Sequence, residues 1–215
     1  MKITGKMRLS SRMWLNRREH DPYIKKARSE CYCSRAAYKL MEIDDRFHLI
    51  KKSRNIVDLG AAPGSWCQLL SRRADEDAKI TAVDLQHFIP PDGITVLIGD
   101  FEDDNLRLEL INHLQGNVDL MVSDMAPATV GHSATDHLRI MRLAEAAHDF
   151  ACDTLLEGGN FVVKIFQGGQ EKKFMDLLKK DFRKVHFFKP KSSRSTSAEI
   201  YMVALDFKAR PRFDF

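Results

Sequence analysis

Seven short apolar runs, most of them separated by stretches with helical spacing, constrain the fold of this chain more than any other feature. The apolar runs are 55–59, 79–85, 94–98, 118–123, 160–166, 184–188 and 199–205, and the helical stretches are 66–74, 105–114, 135–156 and 171–182. We expect Gly158-Gly159 to end the longest helix. Apolar strands that alternate with helices are typical of a mostly parallel sheet covered on both faces. The sequence therefore predicts a Rossmann-like α/β fold with a seven-stranded sheet.

The first quarter of the chain has a different pattern. Residues 1–54 are predicted to form a basic, partly helical N-terminal arm, and residues 55–215 the main domain. Within the arm, Ser34 is a candidate cap for an amphipathic helix that places Tyr38, Leu40 and Ile43 against the sheet. The aromatic residues of the arm lie among basic residues, so they could either stack on nucleic-acid bases or anchor the arm to the main domain.

Several classes of protein are not supported by the sequence. No apolar run approaches the roughly 20 residues that span a bilayer, and the N-terminus lacks the apolar core of a secretory signal. We therefore expect a cytoplasmic protein with no membrane span, and nothing in the sequence requires more than a monomer. The four cysteines form no CxxC pair and the eight histidines no cluster with ligand spacing, so we expect reduced thiols and no metal.

Charge is distributed unevenly along the chain. The first 30 residues carry nine Lys and Arg against three Asp and Glu, and residues 179–194 carry seven against one. The remainder is net negative, because the whole chain is only +4. Two basic segments on an acidic body indicate a polyanionic partner, most simply nucleic acid, although either segment alone could be a solvated surface.

A glycine-rich turn follows the first predicted strand. It reads Gly60-Ala-Ala-Pro-Gly64, which is neither the G-x-G-x-x-G of dinucleotide sites nor a P-loop. Asp84 ends the second strand, where a carboxylate can bind ribose hydroxyls, and Asp100 follows the third, where it could accept from an adenine amine. These features suit a ligand with an adenosine but no pyrophosphate, such as S-adenosylmethionine. Alternatively, the turn is only a tight connection and the acids are helix caps.

Four charged residues lie where solvated charge is not expected. Lys164 interrupts an apolar strand, Asp124 ends another, Glu199 begins the last, and Lys39 lies in the arm helix. Unpaired buried charges are costly, so these residues need partners. They form either a structural ion-pair cluster or a catalytic one.

A set of short motifs, spread in a fixed order along the chain, carries a resemblance to a known family. They are Ser11-Arg-Met-Trp-Leu15, Asp21-Pro-Tyr23, Ser34-Arg-Ala-Ala-Tyr-Lys-Leu40, Val57-Asp-Leu-Gly-Ala-Ala-Pro-Gly64, Ser123-Asp-Met-Ala-Pro127, Val162-Val-Lys-Ile-Phe-Gln-Gly168, Lys189-Pro190, Ser192-Ser-Arg194 and Glu199-Ile-Tyr201. Together they resemble the FtsJ family of ribose 2′-O-methyltransferases, and within it the bacterial branch that acts on large-subunit ribosomal RNA. The resemblance covers nearly the whole chain.

The resemblance implies a fold, a reaction and a set of site residues. The fold would be that of the S-adenosylmethionine-dependent methyltransferases, and the substrate a uridine ribose in 23S rRNA of the large ribosomal subunit. Its catalytic tetrad would be Lys39, Asp124, Lys164 and Glu199, with Lys164 as the general base. The S-adenosylmethionine site would be formed by Gly64, Trp66, Asp84, Asp100 and Asp124.

Three positions depart from the family pattern, and two other activities stay open. Cys33 replaces an expected arginine, Ser65 a common glycine and Ala128 an expected asparagine. The rival activities are 2′-O-methylation of transfer RNA or an mRNA cap, and RNA binding without catalysis by a ribosome assembly factor.

Overall fold

A computed structural model describes residues 21–115, 117–127 and 131–208. The helices are α1 Pro22–Ser29, α2 Ala37–Phe47, α3 Ser65–Arg73, α4 Asp104–Leu114, α5 Ser133–Thr154 and α6 Glu171–Asp181. The strands are β1 Asn55–Leu59, β2 Lys79–Asp84, β3 Ile94–Ile98, β4 Val118–Ser123, β5 Leu155–Phe166, β6 Phe182–Phe188 and β7 Glu199–Phe207. The predicted strands are therefore all present. The motif 11–15 and most of the N-terminal basic segment lie outside the described residues.

All seven strands form one sheet in the order β3-β2-β1-β4-β5-β7-β6. Strands β1 to β5 pair in parallel, whereas β7 inserts antiparallel between β5 and β6. The chain runs outward from β1 to β3 and then returns to place β4 on the other side of β1. The order of strands thus reverses between β1 and β4, and ligands of open α/β sheets bind beyond the carboxyl ends of the strands at such a point.

Each face of the sheet is covered by helices. On one face, α2 and α3 pack through residues such as Ile43 and Trp66 against the strand residues Ile56 and Val162. On the other face, α4, α5 and α6 pack against the alternate residues of the same strands. This is the seven-stranded, mostly parallel sheet with flanking helices that the apolar runs predict. The described part of the arm, through α2, contributes to the same core as the main domain.

The expected helix stop at Gly158-Gly159 is wrong. Helix α5 ends at Thr154, and Leu155 is already extended and begins β5. In the pairing of β5 with β4, Val118 faces Leu155 but Leu120 faces Asn160, so β5 has extra residues at this point. Gly158 has φ +82°, which a glycine adopts without the steric cost of a Cβ. The two glycines therefore accommodate an irregularity inside the strand.

The expected cap at Ser34 is also displaced. Helix α2 begins at Ala37, and the Ser34 hydroxyl accepts the Ala36 N–H at 3.1 Å, in a turn before the helix. The same hydroxyl lies 2.9 Å from the Ser65 hydroxyl, so it joins the arm to the first turn of α3. Within the described part of the chain, no helix has both the length and the hydropathy needed to cross a membrane.

Candidate active site

The glycine turn lies at the point where strand order reverses. Gly60 follows β1 with φ +79°, and its N–H donates to the Val83 carbonyl on β2 at 2.9 Å. A Cβ on Gly60 would lie 2.7 Å from the backbone nitrogen of Met125. Two features of the protein itself therefore require a glycine at position 60: the close contact with the loop after β4 and the positive φ. Approach of a ligand is not needed to explain it.

Helix α3 begins at the end of this turn. Gly64 is its cap residue with φ +99°, and a Cβ there would lie 2.9 Å from the Phe88 ring. The N–H groups of the first turn of a helix have no partner within the helix and carry partial positive charge, which suits a carboxylate. The Trp66 side chain is 2% exposed, and its indole N–H donates to the Ala36 carbonyl at 2.8 Å. The Trp66 side chain is therefore taken up by packing against the arm.

A cleft of about 560 Å³ opens beside the turn at the carboxyl ends of β1, β2 and β4. Asp84, Asp100 and Asp124 all line it, so the structure brings the three acids together. Asp84 accepts the N–H of Ala62 at 2.9 Å and that of Gln86 at 2.8 Å. Gly64 and Trp66, at the start of α3, do not line this cleft.

The four predicted catalytic residues form two ion pairs. Lys164 is 6% exposed, and its Nζ lies 2.9 Å from Asp124 Oδ1 and donates to the Asp124 carbonyl at 2.5 Å. Lys39 Nζ lies 2.8 Å from each carboxylate oxygen of Glu199. The structure therefore pairs each lysine with one carboxylate, and Asp124 belongs to both the cluster and the cleft.

The pairing of β5 with β7 explains why these groups meet. Lys164 lies opposite Tyr201, and Phe166 lies opposite Glu199, so Lys164, Glu199 and Tyr201 point to the same face of the sheet. Helix α2 crosses this face and brings Lys39 over it. Asp124 reaches the cluster from the loop after β4, where its N–H donates to the Leu59 carbonyl at 3.1 Å.

Electrostatics favour an ionised Asp124. Burial alone would raise the pKa of this carboxyl, but the charges of Lys164 and then Lys39, with hydrogen bonds from Lys164 and Tyr201, hold the pKa below its ordinary value. The Tyr201 hydroxyl donates to Asp124 Oδ1 at 2.7 Å. Burial, Asp124 and Glu199 raise the pKa of Tyr201 well above its usual value, so the phenol stays protonated and acts as a donor.

Sequence reasoning assigned no role to two of these partners. Tyr201 binds Asp124, and the Ser193 hydroxyl donates to Glu199 Oε1 at 2.8 Å. Tyr201 could have been found from its spacing, because a residue two positions after Glu199 on a strand shares its face. No comparable pattern indicates Ser193, which lies in a loop.

Comparison with known proteins identifies the family. Residues 32–207 match the FtsJ-like methyltransferase family. The chain belongs to the FtsJ-like methyltransferase family. It is 48% identical over 210 residues to the ribosomal RNA large subunit methyltransferase E of Brucella canis, covering 96% of this chain and 88% of the relative. A relative of the same name from Brucella abortus strain S19 has the same identity and coverage.

Solved structures show the same FtsJ-like fold. A Plasmodium falciparum protein provisionally described as a ribosomal RNA methyltransferase superposes with a TM-score of 0.74 at 33% identity, covering 83% of this chain and 100% of that one. A Lactococcus lactis protein provisionally described as a hemolysin superposes with a TM-score of 0.56 at 13% identity, covering 83% of this chain and 90% of that one. The second likeness concerns the fold alone.

The departures from the FtsJ family pattern have different structural settings. Cys33 is exposed, and its N–H donates to the Gln68 side chain at 2.8 Å. Ser65 is buried, and its hydroxyl makes the contact with Ser34. Ala128 lies outside the described residues.

The second basic segment of this FtsJ-like chain lies beside the charged cluster of Lys39, Asp124, Lys164 and Glu199. Glu42 on α2 accepts the N–H groups of Lys191 at 2.6 Å and Ser192 at 2.8 Å. Arg35 donates to the Ser192 carbonyl and to Asp21. These contacts fix the loop that carries Lys191 against the helix that carries Lys39.

A separate polar cluster lies away from the cleft, where α5 packs against the end of α6. His148 Nε2 is 3.0 Å from Asp181 Oδ2 and 3.3 Å from Cys152 Sγ. His148 and Cys152 lie one helical turn apart on α5, but the contact with Asp181 could not be predicted, because Asp181 is distant along the chain. The histidine ring lies against Phe161, Phe174 and Phe182 in the core.

Proposed function

We propose that this protein transfers a methyl group from S-adenosylmethionine to a ribose 2′-hydroxyl of 23S rRNA in the large ribosomal subunit, at a uridine. The observation that carries the proposal is the position of Lys164. Its amine is buried and held by the carboxylate and carbonyl of Asp124, a residue that also lines the cleft. A nucleophile and a methyl donor that met beside Asp124 would both be within reach of this amine.

The cleft has the chemistry that S-adenosylmethionine requires. The cationic sulfonium of S-adenosylmethionine suits the negative potential of Asp84, Asp100 and Asp124. The backbone N–H groups of α3 after Gly64, including that of Trp66, suit its carboxylate. Asp84 lies at the end of β2, where a carboxylate can accept ribose hydroxyls. These are the five residues assigned to the cofactor.

Each residue of the proposed tetrad has a role in methyl transfer. When bound, S-adenosylmethionine supplies an electrophilic methyl group. Methyl transfer to a hydroxyl needs the oxygen in line with the bond that breaks, and a group that takes its proton. We assign Lys164 as that general base, which accepts the proton as a neutral amine once its ammonium has lost a proton. Asp124 orients Lys164, and the pair of Lys39 with Glu199 orients the substrate hydroxyl.

The substrate assignment rests on the relatives and on charge. Proteins 48% identical to this chain are named for methylation of large-subunit ribosomal RNA. The basic loop around Lys191 lies next to the tetrad, where a polyanion would approach. We further propose that the protein acts as a monomer in the cytoplasm, with residues 1–54 as an RNA-contacting arm.

Transfer of labelled methyl from S-adenosylmethionine tests this function. Large subunits, deproteinised ribosomal RNA and transfer RNA are compared, and the modified ribose is mapped. We expect label on subunit RNA at one ribose, and a loss of at least about 100-fold in Lys164→Ala. Lys79→Ala is the matched control, because Lys79 is an exposed lysine at the start of β2, at the opposite end of the sheet.

Other outcomes would replace parts of the proposal. Label on transfer RNA alone would keep the reaction and overturn the substrate. Full activity in Lys164→Ala would refute the general-base assignment. Binding of RNA by the wild type without any methylation would favour an assembly factor.

A further inference from the structure

Asp58, on β1 beneath the glycine turn, is a buried acid to which the proposed mechanism gives no role. It is 0% exposed. Its Oδ2 accepts a single hydrogen bond from the Cys67 thiol on α3 at 3.3 Å, and its Oδ1 has no partner among the described residues. A thiol is a weak donor, so the site offers little to stabilise a carboxylate.

The charged groups near Asp58 oppose its ionisation as well. Burial is the largest cause that raises its pKa, to about 7, and the charges of Asp124 and Asp84 raise it further, against the lowering effect of the Cys67 hydrogen bond. The groups that face Asp58 are thus Cys67 from α3, Asp84 from β2 and Asp124 from the loop after β4. Burial also raises the pKa of the Cys67 thiol, so this group stays neutral.

We propose that Asp58 carries a proton in the cofactor-free protein and releases it to solvent when S-adenosylmethionine binds, so that the protein distinguishes its cationic substrate from the uncharged product. The inference rests on the proposed function. S-adenosylmethionine has a net charge of +1 through its sulfonium, whereas S-adenosylhomocysteine has none. A cation placed between Asp84 and Asp124 offsets the repulsion that keeps Asp58 protonated, and the neutral thioether offsets none of it.

This linkage makes affinity for the cofactor depend on pH. If the cation holds Asp58 ionised throughout the range, the affinity for S-adenosylmethionine rises about tenfold between pH 6 and pH 8 from this group alone. Affinity for S-adenosylhomocysteine gains no such factor. At pH 7, binding of the substrate releases about half a proton from Asp58. Product is therefore displaced by fresh substrate more readily at higher pH.

Isothermal titration calorimetry of the full chain tests the proposal. Each ligand is titrated at pH 6, 7 and 8 in buffers with different ionisation enthalpies, which gives the number of protons released. Asp58→Asn keeps the shape of the side chain but cannot ionise. We expect this variant to lose the protons that Asp58 releases on binding of S-adenosylmethionine. We also expect it to lose the roughly tenfold rise in affinity between pH 6 and pH 8. Release from any other group, Lys164 included, persists in this variant.

Cys67→Ser gives a second test that does not depend on Asp58→Asn folding. A hydroxyl is a stronger donor than a thiol, so it stabilises the carboxylate and moves the pH dependence of S-adenosylmethionine binding to lower pH. Equal proton release with both ligands, or release unchanged in Asp58→Asn, would overturn the inference and leave the proposed function standing. Failure of both ligands to bind the wild type would overturn the cofactor assignment and the inference together.

Discussion

Replacing Asp58 with asparagine should make the cofactor-free protein more stable relative to wild type as pH rises. The pKa of this carboxyl is about 7 in the folded protein against 3.8 as the ordinary value. The unfolded chain therefore ionises first, and wild-type stability falls from about pH 4 and levels off above about pH 7. Between pH 5 and pH 8, this difference amounts to roughly 3 kcal/mol in the free energy of unfolding.

Urea unfolding of both proteins at pH 5, 6, 7 and 8 measures this difference. The stability of Asp58→Asn minus that of wild type should grow by roughly 3 kcal/mol from pH 5 to pH 8. Asp119→Asn is the matched control, because the Asp119 carboxylate accepts two backbone N–H groups, at 2.9 and 2.8 Å. We expect no comparable gain from it. A difference that is flat with pH would mean that Asp58 is ionised at pH 5 and would refute the reasoning.

Three further substitutions test the site. Tyr201→Phe removes the 2.7 Å hydrogen bond to Asp124, and we expect the turnover rate to fall about tenfold with little change in KM, as steady-state methylation would measure. Asp84→Asn should weaken S-adenosylmethionine binding about tenfold in calorimetry, and unchanged affinity would place the ribose elsewhere. Gly60→Ala should destabilise the fold by at least about 2 kcal/mol in thermal unfolding, because of its positive φ and the clash with Met125.

The parts of the fold that follow from local patterns could be predicted from the sequence. Strands such as 55–59 and 118–123 are short apolar runs, because a strand that is buried on both faces of a sheet needs apolar residues along its whole length. The boundary between α5 and β5 could not be predicted from the sequence, because Gly158-Gly159 is a strong local signal for a helix end. The pairing of β5 with β4 overrode that signal and placed both glycines in a strand.

The site shows the same division. Charged residues in apolar strands drew attention to Lys164 and Asp124, since such charges need partners. Their partner choice could not be derived, because it depends on the register of β7 against β5 and on where α2 crosses the sheet. Asp58 was hidden for a similar reason. An acid within a strand beside a glycine turn is ordinary in sequence, and only the packing of α3 shows that it is fully buried.

The antiparallel position of β7 also bears on how the protein is made. β7 is the last of the seven strands along the chain, yet it lies inside the sheet between β5 and β6 and supplies Glu199 and Tyr201. On the ribosome, the earlier strands emerge first, and the edge of β5 stays unpaired until β7 has left the exit tunnel. The acids of the cleft, Asp84, Asp100 and Asp124, therefore leave the ribosome before Glu199, and the proposed tetrad is complete only once β7 has left the exit tunnel.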